Sequence, residues 1–271
     1  MTSPLITVAE LQALKPVLLD VTWNLAGPPG REAYDAGHIP GAYFVDLETE
    51  LAGPPGPGRH PLPDATTVTA LARRTGISAE TSVVVYDAAN SLAAARAWWI
   101  LRYFGVSDVR VLDGGLAAWR AAGGEVTTDV PADSSSDFTA TPGHLPLVDA
   151  EGAAKVAASG VLLDARAPER FAGEVEPMDK VAGHIPGAVN TPMADLLTPD
   201  GHFKPAADLT TYFTAHGVTP DATLATYCGS GVTATHTALA LATVDIQAPV
   251  YIGSWSDWIT DPTRPTATGR A

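Results

Sequence analysis

Short apolar runs alternate with longer stretches of helical periodicity along the first half of the chain. Residues 17–21, 82–86 and 109–112 are four or five long, rich in Val and Leu, and bounded by polar or glycine positions. That pattern predicts buried strands. Residues 7–14, 68–75, 92–104 and 115–122 carry apolar positions at helical spacing. Thr7 followed by Glu10 reads as a capping box at the first helix, and Gly76 and Gly105 follow the second and third as stop signals. Strands that alternate with helices imply a mainly parallel sheet covered on both faces. Ligands of such sheets bind outside the carboxyl ends of the strands. The loops after Tyr86 and after Tyr227 are therefore the expected site positions.

The pattern then repeats. Gly37-His38-Ile39-Pro40-Gly41-Ala42 recurs as Gly183-His184-Ile185-Pro186-Gly187-Ala188, and Leu18-Leu19-Asp20 recurs as Leu162-Leu163-Asp164. The strand ending at Asp87 aligns with the one ending at Cys228. The segment from Asp113 to Trp119 aligns with that from Tyr251 to Trp258. A period this long means two copies of a domain rather than a solenoid. The expected division is 1–130, a linker over 131–146 that is rich in Pro, Gly and Ser, and 147–271. Residues 52–61 read as a surface excursion of the first copy, and the tail after Pro262 as loosely ordered.

Composition narrows the function. Of 271 residues, 46% are hydrophobic and 17% charged, which suits a packed core. A net charge of −14 argues against nucleic acid or an anionic membrane as partner. The amino terminus lacks a basic region followed by an apolar core, so no secretory signal is read there. No apolar run approaches the roughly 18 residues of a membrane span. One cysteine forbids an intrachain disulfide and fits a reducing compartment, so a cytoplasmic location is expected. The seven histidines are scattered without ligand spacing, and no glycine-rich nucleotide loop follows the first strand. No metal or cofactor is expected.

The lone cysteine stands in Tyr227-Cys228-Gly229-Ser230-Gly231-Val232-Thr233-Ala234. An apolar run precedes it and a helical pattern follows. The reading is strand, tight loop, helix, with backbone N–H groups curling around the sulfur. Such a nest at a helix N-terminus favours an anion. A buried, inert cysteine is the plain alternative, but it would have no need of glycines on both sides of Ser230.

Together, the two His-Ile-Pro-Gly motifs, the Asp113-Gly114-Gly115 to Trp119 element and the loop from Cys228 to Thr233 resemble the two-domain rhodanese-like sulfurtransferases. The Cys-Gly-Ser-Gly-Val-Thr form is similar to the 3-mercaptopyruvate sulfurtransferase branch. The resemblance runs from Val8 to Trp258. It implies an α/β fold with two rhodanese-like domains, each a mainly parallel sheet flanked by helices. The first has no catalytic cysteine, since Asp87 stands at that position.

On this resemblance Cys228 attacks a donor sulfur, keeps it as a persulfide and passes it to a thiol, for instance a thioredoxin-like one, or to cyanide. Ser230 and His38 are the implied relay residues, while His184, in the same motif without assigned chemistry, leaves a structural role open for His38; Glu32 and Asp35 are both open as the acid, as is a relay without a third member. Gly229, Gly231, Val232 and Thr233 line the donor, and Arg170 binds its carboxylate. A second arginine found in relatives is missing from 174–180, where Lys180 is the only cation. Arg166 reads as a structural ion-pair partner. The loop carries no basic residue to hold a dianion, so 3-mercaptopyruvate fits better than thiosulfate, which stays as the alternative donor. A phosphatase of related fold would need an arginine where Ala234 stands. A non-enzymatic sulfur carrier is the remaining alternative, and the presence of Cys228 argues against it.

Overall fold

The computed structural model describes residues 3–25 and 27–270. It divides into two compact units. The first comprises Met1–Gly53, Pro63–Leu145 and Pro199–Phe203; the second comprises Pro54–Leu62, Pro146–Thr198 and Lys204–Ala271.

In the first unit the order is β1 (Leu5–Ile6), α1 (Val8–Ala13), β2 (Val17–Asp20), α2 (Gly30–Ala36), β3 (Tyr43–Phe44), α3 (Leu47–Glu50), α4 (Ala65–Thr75), β4 (Val83–Tyr86), α5 (Leu92–Tyr103), β5 (Val109–Leu112) and α6 (Gly115–Ala121). Among the described residues these strands form one parallel sheet, in the order β1-β5-β4-β2-β3. The central β4 is Val-Val-Val-Tyr and buried throughout, as a strand covered on both faces requires. Ile6, Leu11, Ile39, Val84, Tyr86 and Leu112 pack as one apolar cluster on it.

Local chemistry sets the helix ends. Thr7 and Glu10 form the expected capping box. Helix α4 starts three residues earlier than its apolar pattern suggests, because the Asp64 side chain accepts the N–H of Thr67. It ends at Gly76, whose φ of 75° is left-handed. The short helices α2 and α3 have no long apolar repeat and were not expected.

In the second unit the order is α7 (Ala150–Ser159), β6 (Val161–Asp164), α8 (Pro168–Phe171), β7 (Val189–Asn190), a 3-10 turn (Met193–Leu196), α9 (Ala206–Ala215), β8 (Leu224–Tyr227), α10 (Val232–Ala242) and α11 (Ser254–Trp258). The sheet order is β7-β6-β8, all parallel. Bridges from Thr226 to Val250 and from Leu147 to Val250 extend it in the sense that β5 and β1 extend the first sheet. Both copies of the repeat thus build one strand order.

Three segments differ from expectation. Residues 54–62, read as an excursion of the first copy, belong to the second unit. Where this loop departs, the buried Arg96 donates to the carbonyl of Leu51 and pins the end of α3. Residues 133–144 are not a slack linker. Ser134 donates its N–H to Arg74 O, Ser136 its hydroxyl to Ile77 O, and Thr141 its N–H to Phe104 O. The tail is also tied down: Ala267 exchanges both backbone bonds with His184, and Gly269 donates to Ala172 O. Thr127 does the same with His38 in the first unit. No helix of the described residues is long and apolar enough to cross a membrane.

Candidate active site

Strand β8 delivers Cys228 to the carboxyl edge of the second sheet. The residue is buried, and its Sγ accepts the backbone N–H of Gly231 at 3.1 Å. Gly231 adopts φ 81° and caps α10, so the sulfur sits at a helix N-terminus. A side chain at Gly231 would collide with the carbonyl of Ile252, its Cβ only 2.3 Å away. The loop is stitched to α11 by Trp255 N–H to Cys228 O and Ser256 N–H to Gly229 O, both 2.9 Å.

Ser254 was not singled out by its sequence, yet it is a direct neighbour of the cysteine. Its hydroxyl accepts the Cys228 N–H at 3.1 Å, donates to Tyr251 O at 2.8 Å, and lies 3.9 Å from Cys228 Sγ. It holds φ 54°, a conformation costly for a residue with a Cβ. In the first copy Gly115 fills this place at φ 57°.

The corresponding loop of the first unit shows the same anion-binding backbone. The Asp87 carboxylate accepts N–H bonds from Ala89, Ser91, Ala93 and Ala94, at 2.9 to 3.2 Å. Burial pushes its carboxyl above the ordinary range even against those four donors.

The histidine bonded to Ser230 is His60. Its Nδ1 lies 2.7 Å from Ser230 Oγ, and both side chains are buried. His38 is caged elsewhere. Its ring is fully buried, stacked on Tyr34 at 3.7 Å, with Nδ1 donating to Tyr34 O and Nε2 facing Asp129 O. His184 repeats that cage on Phe171. The shared motif therefore uses its histidine as a structural clasp, and the relay role expected of His38 has no group to act on there. The signal for His60 was only its position beside Arg59 in a polar loop.

Two arginines reach the cysteine loop. Arg170, on α8, donates to Glu176 at 2.7 Å and to Asp179 at 3.2 Å. Arg59, from the loop over 54–62, is ion-paired to Asp179, and its N–H bonds Ser256 Oγ at 3.0 Å. A Cβ placed on Gly229 would lie 2.8 Å from Arg59 Nη2 and 3.5 Å from Arg170 Nη1. Burial raises the Asp179 carboxyl above its ordinary range despite the Arg59 charge beside it. Lys180 is exposed.

Behind this lies a fully buried pair, Arg166 on Asp164 at 2.7 Å, with Glu176 Oε2 3.6 Å from Arg166 Nη1. Burial works against the Arg166 charge, but the two carboxylates outweigh it. Val232 is buried as the first residue of α10, and Thr233 is half-buried beside it. Among the described residues, no three His, Cys, Asp or Glu side chains group as a metal site.

The rhodanese-like domain family matches residues 7–122 and again 149–261. A Mycobacterium tuberculosis protein, provisionally named thiosulfate sulfurtransferase SseB, is 47% identical over 98% of this chain and 98% of its own. A Pseudomonas aeruginosa protein, provisionally named 3-mercaptopyruvate sulfurtransferase, is 46% identical over 93% of this chain and 92% of its own. The crystal structure of SseA from Escherichia coli, described among 3-mercaptopyruvate sulfotransferases, superposes with a TM-score of 0.83 at 32% identity. It covers 94% of this chain and 99% of that one.

Proposed function

The chain belongs to the rhodanese-like sulfurtransferases, and we propose that it moves a sulfur atom from 3-mercaptopyruvate to a thiol or cyanide through a persulfide on Cys228. The observation that carries this reading is the bond from Gly231 N–H to Cys228 Sγ at the start of α10. Backbone dipoles aimed at the sulfur stabilise both a thiolate and a persulfide anion, and a thiolate is the attacking species.

In the loading step the Cys228 thiolate attacks the donor sulfur. An S–S bond forms, the C–S bond breaks, and its electron pair stays on carbon as the enolate of pyruvate. That carbon takes a proton and leaves as pyruvate. Ser230 and His60, hydrogen-bonded to each other, are the groups that hold and move this proton. In unloading, an acceptor thiolate attacks the outer sulfur and Cys228 departs as thiolate; with cyanide the product is thiocyanate. Arg170 holds the donor carboxylate in a planar fork. Gly229, Gly231, Val232 and Thr233 shape the loop around it.

Thiosulfate is the second donor, favoured by the name of the Mycobacterium tuberculosis relative. A protein whose single cysteine must stay reduced to react suits a cytoplasmic setting and a thioredoxin-like acceptor. The test is intact-mass measurement after brief exposure to each donor. We expect 3-mercaptopyruvate to add the mass of one sulfur atom, the gain to vanish in Cys228→Ser, and thiosulfate to load more slowly. Faster loading by thiosulfate would reverse the donor order. A wild-type protein that gains no sulfur from either would end the sulfurtransferase reading.

A further inference from the structure

We propose that the outward face of residues 174–181, formed by Val175, Met178 and Val181 with Lys180 among them, is the docking surface for a thioredoxin-like protein that takes sulfur from Cys228. The inference rests on the sulfurtransferase reading above and assigns the surface used in its unloading step.

The loop has two faces. Its acids turn inward: Glu176 pairs with Arg170, and Asp179 with both Arg59 and Arg170. Glu176 also accepts the N–H groups of Met178 and Asp179, which folds the segment around its carboxylate. Val175, Met178 and Val181 are left 51%, 40% and 37% exposed. Among the described residues seven large apolar side chains are exposed, and three of them fall within these seven positions. The loading step uses none of the three. Apolar side chains gathered on an anchored loop mark a protein contact.

The patch is tied to the nucleophile. Trp255 donates its indole N–H to Val181 O and its backbone N–H to Cys228 O, both at 2.9 Å. Cyanide reaches a buried sulfur by diffusion, whereas a protein thiol needs a surface that holds it beside the loop. The size of the patch suits a short-lived partner. A stable dimer takes about 20–30 residues from each side, and a redox encounter takes fewer. Charge agrees with this. Glu169, Glu174, Glu176 and Asp179 balance Arg59, Arg170, Lys180 and Arg270, so this face is neutral in a chain of net charge −14. Lys180 is exposed and in no ion pair among the described residues, which leaves it for a carboxylate at the rim of the partner's apolar surface.

The docked acceptor thiolate attacks the outer sulfur of the protonated persulfide. A new S–S bond forms, the old one breaks, and its electron pair leaves on Cys228 Sγ. The acceptor's second thiol then closes a disulfide and releases the outer sulfur as hydrogen sulfide.

The experiment is steady-state turnover of the whole chain with 3-mercaptopyruvate, comparing thioredoxin, kept reduced by its reductase, with cyanide as acceptor, alongside thermal melts. Val175→Ser combined with Met178→Gln should raise KM for thioredoxin about tenfold, since both side chains lose apolar burial in the complex. Lys180→Glu should raise it about threefold, less as salt is added. Cyanide turnover and melting temperature should stay at wild-type values. An unchanged KM for thioredoxin in the double variant overturns the docking surface, and an unchanged KM in Lys180→Glu overturns the charge argument. An equal loss with cyanide also overturns the surface, because the loop then acts on the Cys228 site itself. A wild-type dimer that the double variant splits, seen by sedimentation, assigns the patch to a second copy instead. A wild-type protein that serves cyanide but not thioredoxin overturns this inference and leaves the sulfurtransferase reading standing. Failure with both acceptors, with no sulfur loaded on Cys228, overturns the two together.

Discussion

His60 Nδ1 and Ser230 Oγ lie 2.7 Å apart across 170 positions of sequence, and both side chains are buried. A buried hydroxyl joined to an imidazole is equipped to exchange protons, which a lone serine is not. Replacing His60 by Ala should slow sulfur loading about a hundredfold or more. Circular dichroism should stay close to wild type, because His60 lies in a loop outside the helices and strands. His38→Ala should do the opposite. It removes a fully enclosed, stacked ring, and should cost about 2–4 kcal/mol of stability with loading rates largely kept in the folded fraction. Rapid-quench mass spectrometry of persulfide formation, paired with urea unfolding, separates the two. Slow loading in folded His38→Ala with a normal rate in His60→Ala would invert the assignment.

Ser254 keeps a left-handed backbone that glycine would adopt freely. The hydroxyl bonded to the Cys228 N–H is the reason to tolerate it. Ser254→Gly should therefore lose less stability than its two hydrogen bonds alone would cost, since about 1 kcal/mol of relieved strain offsets part of the loss. Loading should still slow about tenfold as the cysteine loop loosens. Ser254→Ala loses both bonds and keeps the strain, so it should be the less stable of the two. Equal loading rates in all three proteins would show the hydroxyl to be dispensable.

The glycines flanking Ser230 should respond differently to alanine. At Gly231 the new Cβ meets a backbone carbonyl at 2.3 Å, on a residue with φ 81°. Both effects are rigid, so Gly231→Ala should cost about 2 kcal/mol or more and disrupt loading. At Gly229 the nearest atoms are the ends of Arg59 and Arg170. Those side chains can move, so Gly229→Ala should melt near wild type while KM for the donor rises. Melting curves and donor saturation curves on the same preparations check both.

Alkaline pH should weaken the first unit through Tyr34. Burial, reinforced by Asp20, pushes its phenol up to about 12. The folded state thus binds this proton more tightly than the unfolded chain, whose tyrosines ionise near 10. Stability from Tyr34 is fully present below pH about 10 and is lost as pH climbs through about 12. The urea midpoint should fall across that window, and Tyr34→Phe should fall less steeply over it. Tyr86, also raised by burial, continues the loss at higher pH. A midpoint independent of pH up to 12 would contradict the burial of Tyr34.

The longer strands β2, β4 and β5 and most helices of the first copy were readable because their causes are local, whereas the two-residue β1 and β3 were not. Val-rich runs, a capping box and left-handed glycines act within a few residues. The repeat was readable too, since both copies need the same turns. The loop after Tyr227 could be chosen as the site because parallel sheets bind ligands at that edge. The family resemblance misled at one motif: His38 looked chemical, and only its twin His184, caged alike, hinted at a structural clasp.

What the sequence by itself determined was the candidate nucleophile Cys228, the uncharged turn around it, and the matching position of the first copy, where Asp87 stands. The tertiary structure alone decided what surrounds Cys228. Arg59 and His60 lie in a stretch of glycine and proline whose local pattern says only that it is neither strand nor helix. Their partners, Asp179 and Ser230, are 120 and 170 positions away. Hydrogen bonds and ion pairs of that separation form only once the second unit has folded, and they leave no periodic trace in the chain. The same holds for Ser254, whose strained backbone becomes meaningful only beside the cysteine it supports.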